Sequence, residues 1–384
     1  MPYKIVYCLP SLFSYGGMEK VLTIKANYFA EKFNYDITII LTDGKGSTPA
    51  FPLSPKVKVI NLDINYHNIW HYKFLTKVIA YHYKQVLYKK RLTKALMSIK
   101  PDITISMLRR EINFLASIPD GSIKVGELHF NKHNYRDFNS GGKKSGIVGF
   151  LASVWMKQLI KNLRKIKKFV VLSYEDKQNW VRDLDNVVVI YNPLDNYPKI
   201  QSDCSSKKVI AAGRYVDQKG FDMLIEAWNL IRHKHPEWTL SIYGAGDKTY
   251  YQGIIDKLQL QKFIFLYDAV TDLNSEFLKA SIFAFPSRFE GFGMTITEAM
   301  SCGLPTVAFS CPCGPKDIIT NNVNGILVEP EDIAAFAEKL GFLMENEEVR
   351  KKLGKNAYTR SKDFDIEIIA SQWHQFFTEL IQNN

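Results

Sequence analysis

Apolar residues recur along this chain in short unbroken blocks, and between the blocks the spacing widens to the three-to-four-residue repeat of a helix with one buried face. The blocks at 3–9, 35–42, 57–62, 103–107, 124–129, 169–172 and 187–191 predict strands, and helices are predicted over 18–33, 72–99 and 147–168. Buried strands alternating with amphipathic helices are the signature of a parallel, doubly wound α/β sheet. The pattern then restarts. Blocks at 209–212, 264–267, 282–285 and 306–309 predict a second set of strands, with a helix opening near Phe221 and three closing helices at 332–344, 347–359 and 366–382. The segment 196–207, carrying Pro, Ser and Asp, predicts a linker. The expected organisation is two Rossmann-like domains, 1–195 and 208–365, facing across a cleft, followed by a terminal helix at 366–384.

At 384 residues and 46% hydrophobic content the chain is long enough for two such cores. The N-terminus enters a strand without an apolar leader, so no signal peptide is expected. The apolar run 147–156 is too short to span a bilayer. Five cysteines, at 8, 204, 302, 311 and 313, lack metal or redox spacing and read as small buried residues in a reducing cytoplasm.

Candidate chemistry concentrates in residues 283–303, FAFPSRFEGFGMTITEAMSCG. The stretch reads as a strand ending at Phe285, a glycine-bearing loop and a helix beginning near Met294 and stopping at Gly303. Glu290 and Glu298 flank the turn and cannot lie more than roughly 12 Å apart if the loop is compact. Amides at Gly293, Met294 and Thr295, unpaired because they open a helix, suit an anion such as a diphosphate. Gly291 and Gly293 let backbone approach a ligand closely. Taken alone, a pair of loop carboxylates is more often merely solvated.

The combination Phe-Glu-Gly-Phe-Gly-Met, then Glu298-Ala299-Met300, then Gly303-Leu304-Pro305-Thr306-Val307 resembles the E-x7-E region of the retaining glycosyltransferases of family 4, which have the GT-B fold. The resemblance runs over nearly the whole chain and is strongest from about residue 207 to 330. It implies that Glu298 holds the ribose of a nucleotide sugar and that Glu290 meets hydroxyls of the transferred sugar. Gly213-Arg214-Tyr215-Val216-Asp217-Gln218-Lys219-Gly220 resembles the family's G-R-x-x-x-x-K-G element, which implies that Arg214 and Lys219 converge on the donor diphosphate. Gly16-Gly17-Met-Glu-Lys20-Val resembles the family's glycine loop, with Lys20 in place of the usual Arg, and assigns donor or acceptor contact to Gly17. His129 follows a strand where the family places a histidine near the sugar. Asp317 stands where the family more often has Glu. The terminal helix is expected to cross back onto the first domain by analogy of fold alone.

Charge divides unevenly. Residues 1–195 carry 30 Lys and Arg against 15 acidic residues, whereas residues 196–384 carry 20 against 24. The basic first half favours a polyanionic partner, an anionic lipid surface or a lipid pyrophosphate, and the absence of any recognisable module argues against nucleic acid. The basic amphipathic pattern at 147–168 is one candidate membrane contact, against the alternative of a core-packed helix with a solvated face. The Lys-rich helix at 72–99 reads as a solvated face. Loop 130–146 is a candidate acceptor-side flap, and His129 with His133 offers an i, i+4 pair but no third metal ligand.

The resulting expectation is a retaining enzyme moving a hexose or N-acetylhexosamine from a nucleotide diphosphate sugar, a UDP-sugar first, to a saccharide or polyprenyl-pyrophosphate-linked acceptor. It would be cytoplasmic, peripheral on the inner membrane face, and need neither cofactor nor metal. The alternatives are a sugar-nucleotide 2-epimerase of the same fold and a non-catalytic saccharide-binding or scaffold protein.

Overall fold

The computed structural model describes residues 2–132, 134 and 146–383. Strands β1 (Lys4–Leu9), β2 (Asp36–Leu41), β3 (Lys58–Asn61), β4 (Ile103–Ser106), β5 (Ile123–Glu127), β6 (Lys168–Val171) and β7 (Val187–Val189) form one sheet in the order β3-β2-β1-β4-β5-β6-β7. Strands β8 (Lys208–Ala212), β9 (Thr239–Gly244), β10 (Ile264–Asp268), β11 (Ile282–Phe285), β12 (Thr306–Phe309) and β13 (Gly325–Val328) form a second, β10-β9-β8-β11-β12-β13. Both ladders are parallel, with registers such as Lys4↔Asp36 and Thr306↔Gly325. Central strands are covered on both faces, which is why their sequences are continuous apolar runs. In each sheet the chain winds outward from its first strand in one direction and then reverses. The reversals fall between β1 and β4 and between β8 and β11, where parallel sheets open a crevice at their carboxyl ends.

The cysteines are free and buried. The segment 196–207 is strapped to the second domain: the Ser202 amide donates to the Cys302 carbonyl at 2.8 Å, and Cys204 is buried against that core. The terminal helix, Ile366–Gln382, lies in the first domain's core, where Trp373, Phe376 and Phe377 pack with Phe29 and Tyr35. The chain's two crossings between domains lie side by side, since Leu194 N–H donates to the Phe364 carbonyl and Ile366 N–H to the Leu194 carbonyl.

Several elements differ from the sequence expectation. The helix expected over 147–168 spans Gly146–Leu163, and Lys165 and Lys167 lie beyond it, while Lys168 begins β6. Lys167 N–H bonds the Lys124 carbonyl, so the last basic residues belong to a strand entrance, not an amphipathic face. Strand β5 ends at Glu127, two residues short of His129. A short helix at Tyr174–Trp180, capped by the Ser173 hydroxyl, and strand β13 were not predicted. His133 and residues 135–145, the centre of the expected acceptor flap, lie outside the described residues.

Candidate active site

The second domain contributes two loops, each leaving one of the strands beside its reversal. The loop after β8 carries Arg214 and Lys219, and the loop after β11 carries Glu290, Gly291 and Gly293 before the helix Met294–Ser301. The Lys219 Nζ meets Glu290 Oε1 at 2.7 Å, and the two side chains are 15% and 9% exposed. Arg214 is exposed and forms no ion pair among the described residues. The two cations expected to converge thus occupy different surroundings: Lys219 is already committed to a carboxylate, and Arg214 is free for a ligand.

Gly293 precedes the helix at φ 97°, a conformation an L side chain resists. Its left-handed backbone turns the chain from loop to helix, and the amides of Gly293, Met294 and Thr295 take no hydrogen bond among the described residues. The Thr295 hydroxyl is also buried without a partner. Unpaired donors in the first turn of a helix make an anion site.

The first domain answers across the cleft. Asn131 is buried and its side-chain amide donates to the Glu290 carbonyl at 2.7 Å. Gly291 lies directly over His129, where an added Cβ would stand 2.4 Å from the His129 carbonyl oxygen. Lys20 reaches from the first helix to Glu298 Oε1 at 2.5 Å. Burial works against the Lys20 charge, but the Glu298 carboxylate outweighs it and lifts the ammonium above its ordinary value. Both carboxylates of the E-x7-E pair are therefore partnered by lysines, one from each domain. Gly17, at the start of that first helix, has open space where a side chain would be.

His129 is held from below. Its Nε2 lies 2.9 Å from Glu127 Oε1, and the same oxygen accepts from Lys25 Nζ. The Lys25 ammonium sits 4.3 Å from the centre of the Trp373 ring of the terminal helix. Burial alone would push the Glu127 carboxyl up, yet Lys25 and His129 together bring it down to about 2. Lys25 itself is pulled below its usual range by burial. A carboxylate between an ammonium and an imidazole fixes the ring's orientation. Lys20 was noted in the sequence only as a replacement for the usual Arg, and Lys25, Glu127 and Asn131 were not singled out. Their partners lie 278, 102, 2 and 159 residues away, and even the nearby Glu127–His129 pair gains meaning only from the Lys25 beneath it.

Asp317 is also a junction residue. It accepts from the Tyr174 amide at 2.7 Å and the Tyr191 hydroxyl at 3.2 Å, and burial raises its pKa. Beside it, Glu175 accepts from the Cys313 amide and pairs with Lys316, both at 2.9 Å. These contacts join the two domains along their seam.

Two parallel-sheet domains with polar loops converging at both reversals define the GT-B architecture. Residues 195–360 match the profile of the family described as glycosyl transferases group 1. An uncharacterized glycosyltransferase of Haemophilus influenzae is 24% identical over 96% of this chain and 98% of its own length. An α-1,4-N-acetyl-D-galactosaminyltransferase of Campylobacter jejuni, whose name specifies a PP-undecaprenol-linked saccharide, is 28% identical over 98% of this chain and 99% of its own. Among solved structures, a Staphylococcus aureus TarM variant in complex with fondaparinux, alpha-GlcNAc-glycerol and UDP superposes with a TM-score of 0.78, covering 98% of this chain and 99% of that one at 18% identity. The protein is a glycosyltransferase.

Proposed function

We propose that the cleft binds a UDP-sugar and transfers a hexose or N-acetylhexosamine, with retention at the anomeric carbon, to a saccharide carried on a polyprenyl pyrophosphate. The observation that carries this reading is the set of unpaired donors at Gly293–Thr295 following the Lys219–Glu290 pair, in a loop that meets His129 and Asn131 across the seam. Glu298 retains its second oxygen for a ribose diol while Lys20 occupies the first. The sugar lies between Glu290 and His129.

In the reaction the bond from the anomeric carbon to the diphosphate oxygen breaks, and its electron pair leaves with the diphosphate. The acceptor hydroxyl forms the new bond to the anomeric carbon and gives up its proton to the departing diphosphate oxygen. Negative charge grows on the departing diphosphate, where Lys219, Arg214 and the helix amides stabilise it more in the transition state than in the ground state. Two cations and three amides supply the neutralisation a divalent ion would otherwise provide, so activity is expected to survive chelation. The Campylobacter relative and the TarM complex both carry α-linked sugars in their names, and an α product from an α-linked donor is retention. A lipid-linked acceptor places the enzyme at the inner face of the cytoplasmic membrane.

The test is a calorimetric titration of wild type and Glu298→Ala with UDP, GDP and ADP in chelator. UDP binding is expected to dominate and to weaken about 5- to 150-fold in the variant, the ~1–3 kcal/mol of a charged hydrogen bond. Absence of nucleotide binding to the wild type would remove the donor site from this cleft.

A further inference from the structure

The helix Phe74–Ile99 is too long for the sheet it packs on. Its 26 residues span about 39 Å at 1.5 Å per residue, whereas the neighbouring strands have four to six residues and reach about 20 Å. Its fully buried side chains, Tyr88, Leu92 and Leu96, all lie in its second half. The first half overhangs the sheet: among its described side chains from Leu75 to Leu87 none is fully buried, and Ala80, Tyr81 and Leu87 pack only partly, against the cluster that holds Tyr66.

This overhang is apolar on its outer face. Leu75, Ile79 and Val86 are 75%, 70% and 71% exposed, with Val78 and Tyr83 beside them at 39% and 68%. At about 100° per residue these positions share one face roughly 140° wide, turned away from the face that carries Tyr88 and Leu92. Trp70 and Tyr72, also exposed, extend it at the helix entrance. An exposed stripe of this kind on a soluble fold marks a contact surface.

Its electrostatics select the partner. Between Asp63 and Asp102 the chain has no acidic residue, and it carries eight Lys and Arg. A second copy of this helix would bring like charge against like charge. An anionic bilayer is complementary: aliphatic residues enter the acyl boundary, Trp and Tyr lie at headgroup depth, and lysines reach phosphates from the flanks.

The placement has a consequence for transfer. The helix follows β3, so it starts at the carboxyl edge of the first sheet and runs back along it. The overhang therefore projects from the same edge that carries Gly17 and His129. From this we infer that residues 70–86 form an interfacial docking surface for anionic phospholipid, which presents the mouth of the cleft to the membrane. The inference rests on the reading of the acceptor as lipid-linked. It assigns membrane contact to a different element from the 147–168 segment, whose helix stops at Leu163.

The experiment compares wild type with Leu75→Glu/Ile79→Glu/Val86→Glu by sedimentation with phosphatidylglycerol-containing and with pure phosphatidylcholine vesicles. The wild type is expected to sediment with the anionic vesicles and to be released by salt. The triple variant should lose roughly tenfold or more in partition. Because all three side chains are solvent-exposed, its melting temperature and UDP affinity should match the wild type. Equal sedimentation of both proteins, or none by a wild type that binds UDP, would overturn the inference. So would a wild-type dimer, seen by light scattering, that the triple variant abolishes without any vesicle binding. Vesicle binding by a wild type that binds no nucleotide would leave the docking surface standing and remove the donor-site reading instead.

Discussion

The two domains repeat one winding pattern but use their charges in opposite ways. In the second domain, which is net acidic, the cations and unpaired amides of the site stand at a crevice wall, and in the proposed function the charge they stabilise is the ligand's. In the first domain, which is net basic, the site histidine rests on a buried Lys25–Glu127 pair, and most of the remaining lysines face outward. On the function proposed above, one half would receive an anion that arrives and departs, and the other would hold a neutral sugar and its acceptor in place. Substitutions in the first should therefore read out in catalysis and nucleotide affinity, and substitutions beneath His129 in stability.

The sharpest test of that contrast is Lys25→Met. It leaves Glu127 buried without its ammonium and should destabilise the fold by about 3–5 kcal/mol in urea denaturation. UDP affinity should change little at temperatures where the variant is folded. A variant that is stable yet blind to UDP would break the comparison. In the opposite domain, Lys219→Ala should lower kcat about 10²- to 10³-fold, measured as initial rates at saturating donor, and should destabilise the fold less than Lys25→Met because the Lys219–Glu290 pair is less completely buried.

The seam itself can be probed with Gly291→Ala. The new methyl would collide with the His129 carbonyl, so the two halves must part by a fraction of an ångström. A loss in kcat larger than the change in UDP affinity is expected, because misplacement of the sugar costs more than displacement of the nucleotide. Lys20→Met should have the smallest effect, below about tenfold in UDP affinity, since its ion pair is partly solvent-exposed.

Acid should also separate the halves. Glu127 has its folded pKa lowered from 4.5 to about 2, so its contribution to stability is complete above 4.5 and is lost as pH falls toward 2. Acid unfolding of wild type should therefore include a loss over that window. Glu127→Gln should be less stable at neutral pH and flatter in its acid response, followed by tryptophan fluorescence.

Much of this was legible in the chain as written. The alternation of apolar blocks and helical periodicity specifies two parallel sheets, because strands buried on both faces must be continuously apolar. The loop motifs at 214–220 and 290–298 are local: their glycines, cations and carboxylates are set by the short turns between a strand and its helix, so their spacing survives in the sequence. Even there, tertiary contacts revised the picture, since Glu290 and Glu298 are each already bonded to a lysine.

What the tertiary structure alone decided are the relations between distant elements. Lys25, Glu127 and His129 become one unit only when the first helix packs over β5, and Trp373 joins them only because the last helix returns to the first core. Asn131 meets Glu290 only when the domains face each other. The basic helix at 74–99 shows the same limit from the other side. Its periodicity marks a helix, but which apolar residues are core and which are left bare depends on where the sheet beneath it ends. Local pattern encodes what a segment becomes; burial is a property of two surfaces and exists only once both have been brought together.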